Sequence, residues 1–279
     1  MKILYVTSFS KPLYSASGHL LLQTFIKQNI GDLLVAYESF DFPKIANNLK
    51  YEALKHTNIM EYSFLKEWLN NNKKYIPTFF NGSAIDPSIA LMPNMDKNMQ
   101  KKIFTYWNKK ASLWFRKVAA LHYAVSMYSK DYDAIIWIDC DCIFKEKIPE
   151  ITFQKMFDRF DVFYHQGQYR NNKDFGFETG FIGFKSGNGY EVIDMVSKFY
   201  NTQNYLKLKR WDDGYVFKII IEGLIKNNKI NAIDLVNNNN KNGKRLDAIN
   251  KGIFEKYIIH NKGIHKTLKH MGFNNKKLK

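Results

Sequence analysis

Two aspartates one residue apart, Asp139 and Asp141, close the apolar run AIIWI at 134–138. Carboxylates are hard oxygen donors, and Mg²⁺ or Mn²⁺ can be held by one or two of them together with a substrate's phosphates. In an extended chain residues i and i+2 point to the same side, so both acids are expected to project together. A continuous apolar run marks a strand buried on both faces of a parallel sheet. The crevice beyond the C-terminal ends of such strands is where open α/β sheets bind ligands. The competing reading is a strand that runs into a polar turn.

Three further places could contribute chemistry. Asp212 and Asp213 follow Trp211 and precede the periodic apolar residues Val216, Ile219, Ile220 and Leu224. That is a helix start, where one acid caps the helix and the other is free to face a pocket as a base. Glu178 sits in the otherwise apolar stretch GFETGFIGFK at 176–185, and a buried acid needs a partner or a pocket. His260 ends the strand-like YIIH at 257–260, just before Gly263 and the cations Lys262, His265 and Lys266. Imidazole is a good ligand for Mn²⁺.

The elements that must position these groups follow from periodicity. Residues 2–7 read as a first strand and 7–10 as the loop after it. Residues 17–28 read as a helix and 32–37 as a second buried strand, a β-loop-α-β opening. Residues 41–110 carry four prolines and an Asn-Gly pair, and read as an insertion of short helices and loops. The clearest helix is 111–127, with Trp114, Val118, Leu121 and Val125 on one face and Arg116 and Lys117 beside it. Helices are expected over 151–160 and 189–200, and a strand over 161–165. Three glycines in 176–185, interleaved with aromatics, suggest close-packed strand ends and tight turns. The asparagine-rich 237–242 reads as a surface loop, and 274–279 as a basic tail.

Composition narrows the classes. The 279 residues are 45% hydrophobic and 24% charged, enough for one α/β domain with a sizeable core. The net charge of +16 favours anionic partners. No arginine-rich run or nucleic-acid module signature appears, so nucleic acid is not the expected partner. The GxGxxG and GxxxxGK[ST] fingerprints are absent. No apolar run is long enough to span a bilayer, so a cytoplasmic protein with at most peripheral membrane contact is expected. Cys140 and Cys142 are too close for an ordinary disulfide and are expected to be reduced and to pack. A Cys-Asp-Cys zinc site lacks a second cluster at finger spacing.

Taken together, IIWIDCDCIF, ETGFIGFK, RWDDGYVF and HNKGIHK, in this order, resemble metal-dependent nucleotide-sugar glycosyltransferases of the GT-A fold. The similarity is to a group from bacteria and large DNA viruses, chlorella viruses among them. It extends over roughly residues 1–224, with 41–110 unmatched. The ending His260, Gly263, Lys266 is similar to the glycogenin-like retaining enzymes. The resemblance implies a single α/β domain with a mostly parallel central sheet flanked by helices. It implies transfer of a sugar from a nucleotide diphosphate donor, a UDP-sugar favoured, to a glycan or other hydroxyl acceptor, with Mn²⁺ or Mg²⁺.

Residue by residue, the resemblance implies that Thr7, Ser8 and Phe9 line the nucleotide, and that Lys117 and Arg116 touch the donor. Asp139 would face ribose and metal, while Asp141 and His260 would ligate the metal. Gly263 and Lys266 would meet the diphosphate, and Glu178 would lie at the acceptor side. Asp213 would be the base of an inverting enzyme. Asp212 stands where the group often has a histidine, so either carboxylate fits that role. The first loop lacks the acid usual in the glycogenin-like enzymes, which favours inversion over retention. A metal-dependent nucleotidyltransferase, using a third acid for two metals, and a basic nucleic-acid or glycan binder are the rival readings.

Overall fold

A computed structural model describes residues 1–38, 48–53, 111–166, 176–236 and 248–261. The strands are β1 (Ile3–Ser10), β2 (Asp32–Glu38), β3 (Leu49–Ala53), β4 (Ala134–Ile138), β5 (Cys142–Phe144), β6 (Val162–His165), β7 (Glu178–Lys185), β8 (Ala232–Asp234) and β9 (Ile258–His260). The longer helices are α1 (His19–Lys27), α2 (Ala111–Tyr128), α3 (Glu150–Phe157), α4 (Asn188–Asn201) and α5 (Asp213–Lys226). Seven strands form one sheet in the order β3-β2-β1-β4-β7-β6-β8, and β5 pairs with β9 in a second. In the large sheet only β7 runs against its neighbours. The architecture is α/β, with a mostly parallel sheet flanked by helices, the GT-A-type arrangement expected from the sequence.

The core explains the unbroken apolar run of β4. Ile135 and Trp137 pack into a cluster with α2, α4 and α5 on one face of the sheet. Ala134, Ile136 and Ile138 pack into a second cluster with α1, α3 and the small sheet on the other. All five residues are buried, so neither face tolerates a polar side chain. Each large aliphatic side chain buried this way contributes about 1.5–3 kcal/mol. β4 is therefore a stiff support for the turn that carries Asp139 and Asp141.

Several elements differ from the sequence reading. Residues 7–10 are not a loop: β1 continues to Ser10, which pairs with Glu38 at the end of β2. The helical path then begins at Lys11, through one short turn and a wider π turn at Tyr14–Gly18, before α1. Residues 49–53, inside the stretch read as helices and loops, form β3 and pair in parallel with β2. The rest of that insertion, apart from Asn48, lies outside the described residues, as do 237–242 and the basic tail. The glycines of 178–185 mark no turn. β7 is one continuous strand across them, and its glycines serve the close packing that was expected. No helix among the described residues is long and apolar enough to cross a membrane.

Candidate active site

The backbone after β4 turns at once. Asp139 N–H donates to Gly180 O (2.8 Å), and Cys142 N–H closes a tight turn onto Asp139 O (3.0 Å). Asp139 and Asp141 thus share a side because of a turn, and not through the strand alternation expected. The turn leads into β5, whose Cys142 lies directly opposite His260 of β9. Asn261 N–H donates to Asp141 O (2.9 Å), tying the two strands together beyond the ladder. Asn250 clamps the histidine backbone, accepting from His260 N–H and donating to His260 O, both at 2.7 Å. A residue more than 100 positions from the aspartates is held in register with them by this small sheet.

The imidazole reaches the carboxylates. His260 Nε2 lies 3.1 Å from Asp141 Oδ1 and 3.9 Å from Asp139 Oδ2. Glu178, at the start of β7, brings its carboxylate into the same cluster. Ligand atoms of Asp139, Glu178 and His260 lie within 4.8 Å of one another, and so do those of Asp141, Cys142 and His260. Gly180 leaves room between them. A Cβ there would fall 2.9 Å from His260 Cε1 and 3.1 Å from Asp139 Oδ2. Oxygen donors, one imidazole and a hollow that a methyl group would fill suit a divalent cation such as Mn²⁺ or Mg²⁺.

A second cluster adjoins the first through Asp139. Lys117 on α2 is buried, and its Nζ lies 3.0 Å from Asp139 Oδ1 and 2.8 Å from Asp213 Oδ2. It also donates to Thr179 O (3.0 Å) and Thr179 Oγ1 (2.9 Å). Burial works to lower the pKa of this ammonium. The charges of Asp139 and Asp213, with their hydrogen bonds, outweigh it and hold the group above its ordinary range. Thr179 Oγ1 donates onward to Asp213 Oδ2 (2.7 Å), and Trp137 Nε1 donates to Asp139 Oδ1 (2.6 Å).

Asp213 opens α5 and is held there by backbone packing. Phe177 N–H donates to Gly214 O (2.9 Å), and a Cβ at Gly176 would fall 2.3 Å from the Gly214 carbonyl carbon. Only glycines allow α5 to start this close to β7. Asp212 is the N-cap, accepting from Tyr215 N–H (3.1 Å) and from Arg210 Nε (2.7 Å). Its burial pushes its carboxyl up, against the opposing pull of Arg210. The capping expected of one acid of the pair falls to Asp212, while Asp213 is buried against Lys117 and Thr179.

Other sequence candidates fall in different places. Glu178 joins the histidine cluster, although the acceptor side was expected for it. The Lys117 ammonium has three protons and four acceptors within 3.0 Å, so it is spent on the protein itself. Arg116 is only half-buried on the same helix. Thr7 and Phe9 are buried in β1, Phe9 packing on Tyr14 with ring centroids 5.4 Å apart, and Ser8 is partly exposed. Gly263 and Lys266 lie outside the described residues. Thr179, Trp137 and Arg210 escaped the sequence reading. The Trp-x-Asp spacing of Trp137 and Asp139 was a signal that could have found one of them. No protein-family model matches the chain, and comparison with curated proteins finds no match.

Proposed function

We propose that this protein transfers a sugar from a nucleotide diphosphate donor, with a UDP-sugar favoured, to a hydroxyl of a glycan or other acceptor, aided by Mn²⁺ or Mg²⁺. The observation that carries the reading is the convergence of His260 with Asp139 and Asp141 at the C-terminal end of β4. Asp139 Oδ2, Asp141 Oδ1 and His260 Nε2 would hold the cation, because Asp139 Oδ1 is already engaged by Trp137 and Lys117. When bound, the cation acts as a Lewis acid that stabilises the charge on the departing diphosphate.

The protein's own groups do the rest. Asp213 Oδ2 is held by Lys117 and Thr179, while Oδ1 carries no hydrogen bond among the described residues. Oδ1 is the atom that takes the proton from the attacking hydroxyl, in the inverting sense. The Lys117 ammonium orients the carboxylates of Asp139 and Asp213, so the cation side and the base side move together. A rigid base on a helix start avoids reorganisation during the reaction. Cys140 and Cys142 are buried and form no disulfide among the described residues, which suits a reducing compartment.

The nucleotidyltransferase reading gains a third acid in Glu178. Its two-metal form, however, needs a carboxylate bridging two ions. Here the two ligand groups share His260, and one imidazole nitrogen bonds one cation. That favours a single-cation site. A thermal-shift screen of nucleotide sugars, with and without Mn²⁺, tests the proposal. A ligand binding only the folded chain raises stability with the logarithm of its concentration. Stabilisation by a UDP- or GDP-sugar only when Mn²⁺ is present supports the reading. Equal stabilisation without metal, or none by any donor, counts against it.

A further inference from the structure

His260 belongs to two ligand groups whose chemistry differs. Asp139 and Glu178 surround it with oxygen, which suits Mg²⁺ and Mn²⁺, whereas Asp141 and Cys142 offer oxygen and sulfur. Thiolate sulfur selects softer ions such as Zn²⁺ and Cd²⁺ over the hard ones. We propose that Asp141, Cys142 and His260 form a sulfur-containing seat for Zn²⁺, and that zinc bound there excludes the hard cation by occupying His260 and Asp141.

The fold holds two of these ligands close to the spacing zinc requires, and the sulfur within 4.8 Å of both. Two ligand atoms about 2.0–2.1 Å from a tetrahedral zinc lie about 3.3 Å apart. His260 Nε2 and Asp141 Oδ1 are already 3.1 Å apart, whereas Asp139 Oδ2 stands off at 3.9 Å. Cys142 faces His260 across β5 and β9, and directly opposed residues of an antiparallel pair share one face of the ribbon. Its thiol donates a weak bond to Gly180 O, 3.7 Å, which ligation would replace. Cys142 and His260 are fully buried, while the Asp141 side chain keeps 24% of its surface, so the ion and a water as fourth ligand enter from that side.

Binding breaks the S–H bond, sends its proton to solvent and forms a Zn–S bond from the sulfur pair, with no change of oxidation state. Asp141 and the thiolate then balance the two positive charges. Cys140 takes no part: its sulfur lies 3.7 Å from Ser17 Oγ, toward α1.

The test uses the full-length protein with Cd²⁺ and Zn²⁺, and its spectroscopic readout does not depend on sugar transfer. Cd²⁺ is expected to give a sulfur-to-metal charge-transfer band that Cys142→Ser loses and Cys140→Ser keeps. Losing a direct ligand should weaken Zn²⁺ at least as much as losing an outer partner does, about 10- to 100-fold. Zinc-edge X-ray absorption of the unaltered protein should show one sulfur at about 2.3 Å. It decides the matter even if Cys142→Ser fails to fold. One equivalent of Zn²⁺ should release bound Mn²⁺, seen by the return of the free-ion paramagnetic resonance signal. An undiminished band in Cys142→Ser, a zinc shell of nitrogen and oxygen alone, or Mn²⁺ and Zn²⁺ bound together would each overturn the proposal.

Discussion

Replacing Lys117 with methionine removes the only positive charge from a set of three, at nearly constant length. The Lys117 side chain is 10% exposed, that of Asp213 4% and that of Asp139 28%. Breaking a buried pair by removing one partner costs about 3–5 kcal/mol, because the charge left behind stays desolvated. Most of that falls on Asp213, since solvent screens the more exposed Asp139. At about 2–4 °C per kcal/mol for a protein somewhat smaller than this one, the melting temperature should drop by roughly 6–20 °C. Urea unfolding near neutral pH gives the free energy directly. Folding raises the pKa of Lys117, so its contribution is fully present below the unfolded value of about 10.4. It is lost only as pH rises through the still higher folded value. Titration of Lys117 itself therefore leaves the gap between the two proteins open throughout the neutral range. Adding Asp213→Asn removes the orphaned charge and should recover about 0.5–3 kcal/mol relative to the sum of the two single changes. A single variant within about 1 kcal/mol of the unaltered protein, or strictly additive single changes, would refute the coupling drawn from these distances.

Three further outcomes are expected. Asp213→Asn should slow transfer about 100- to 10,000-fold while donor titration shows nearly unchanged binding; a normal rate would remove Asp213 as the base. Gly180→Ala, whose Cβ would press on His260 and Asp139, should weaken Mn²⁺ by about tenfold, equal to about 1.4 kcal/mol, in a paramagnetic resonance titration. Folding raises the carboxyl of Asp212 above its unfolded value of about 3.9, so the folded state binds the extra proton and loses stability as pH rises through the folded value. Asparagine caps a helix as well as aspartate does. The stability of Asp212→Asn relative to the unaltered protein should therefore improve on going from acid to neutral pH, measured by denaturant unfolding. A difference that is flat with pH would contradict the assigned direction.

Legibility in the sequence tracks the strength of the local signal. β4 stood out as an unbroken apolar run and α2 as a long run with one period, and Asp212 as a cap because acids precede a periodic helix. β5, β8 and β9 have three residues each, too few for any period to show, and only β9 was anticipated, as the end of YIIH. The pairing of Cys142 with His260 was invisible for the same reason. Lys117 looked like a charge beside an apolar face, because nothing local announces that Thr179 and Asp213, 62 and 96 positions away, converge on it. Glu178 was legible as a buried acid needing a partner, while the identity of that partner depended on where the small sheet docks.

The central claim is that His260 and the two aspartates make a metal site for sugar-nucleotide chemistry. Its most direct test is the release of nucleoside diphosphate from a panel of UDP- and GDP-sugars with a hydroxyl acceptor, with and without Mn²⁺, by the unaltered protein, Asp141→Asn and His260→Ala. Saturable, Mn²⁺-dependent release by the unaltered protein, lost in both variants, is the expected result. Release that ignores Mn²⁺, or that survives in both variants, would contradict the claim.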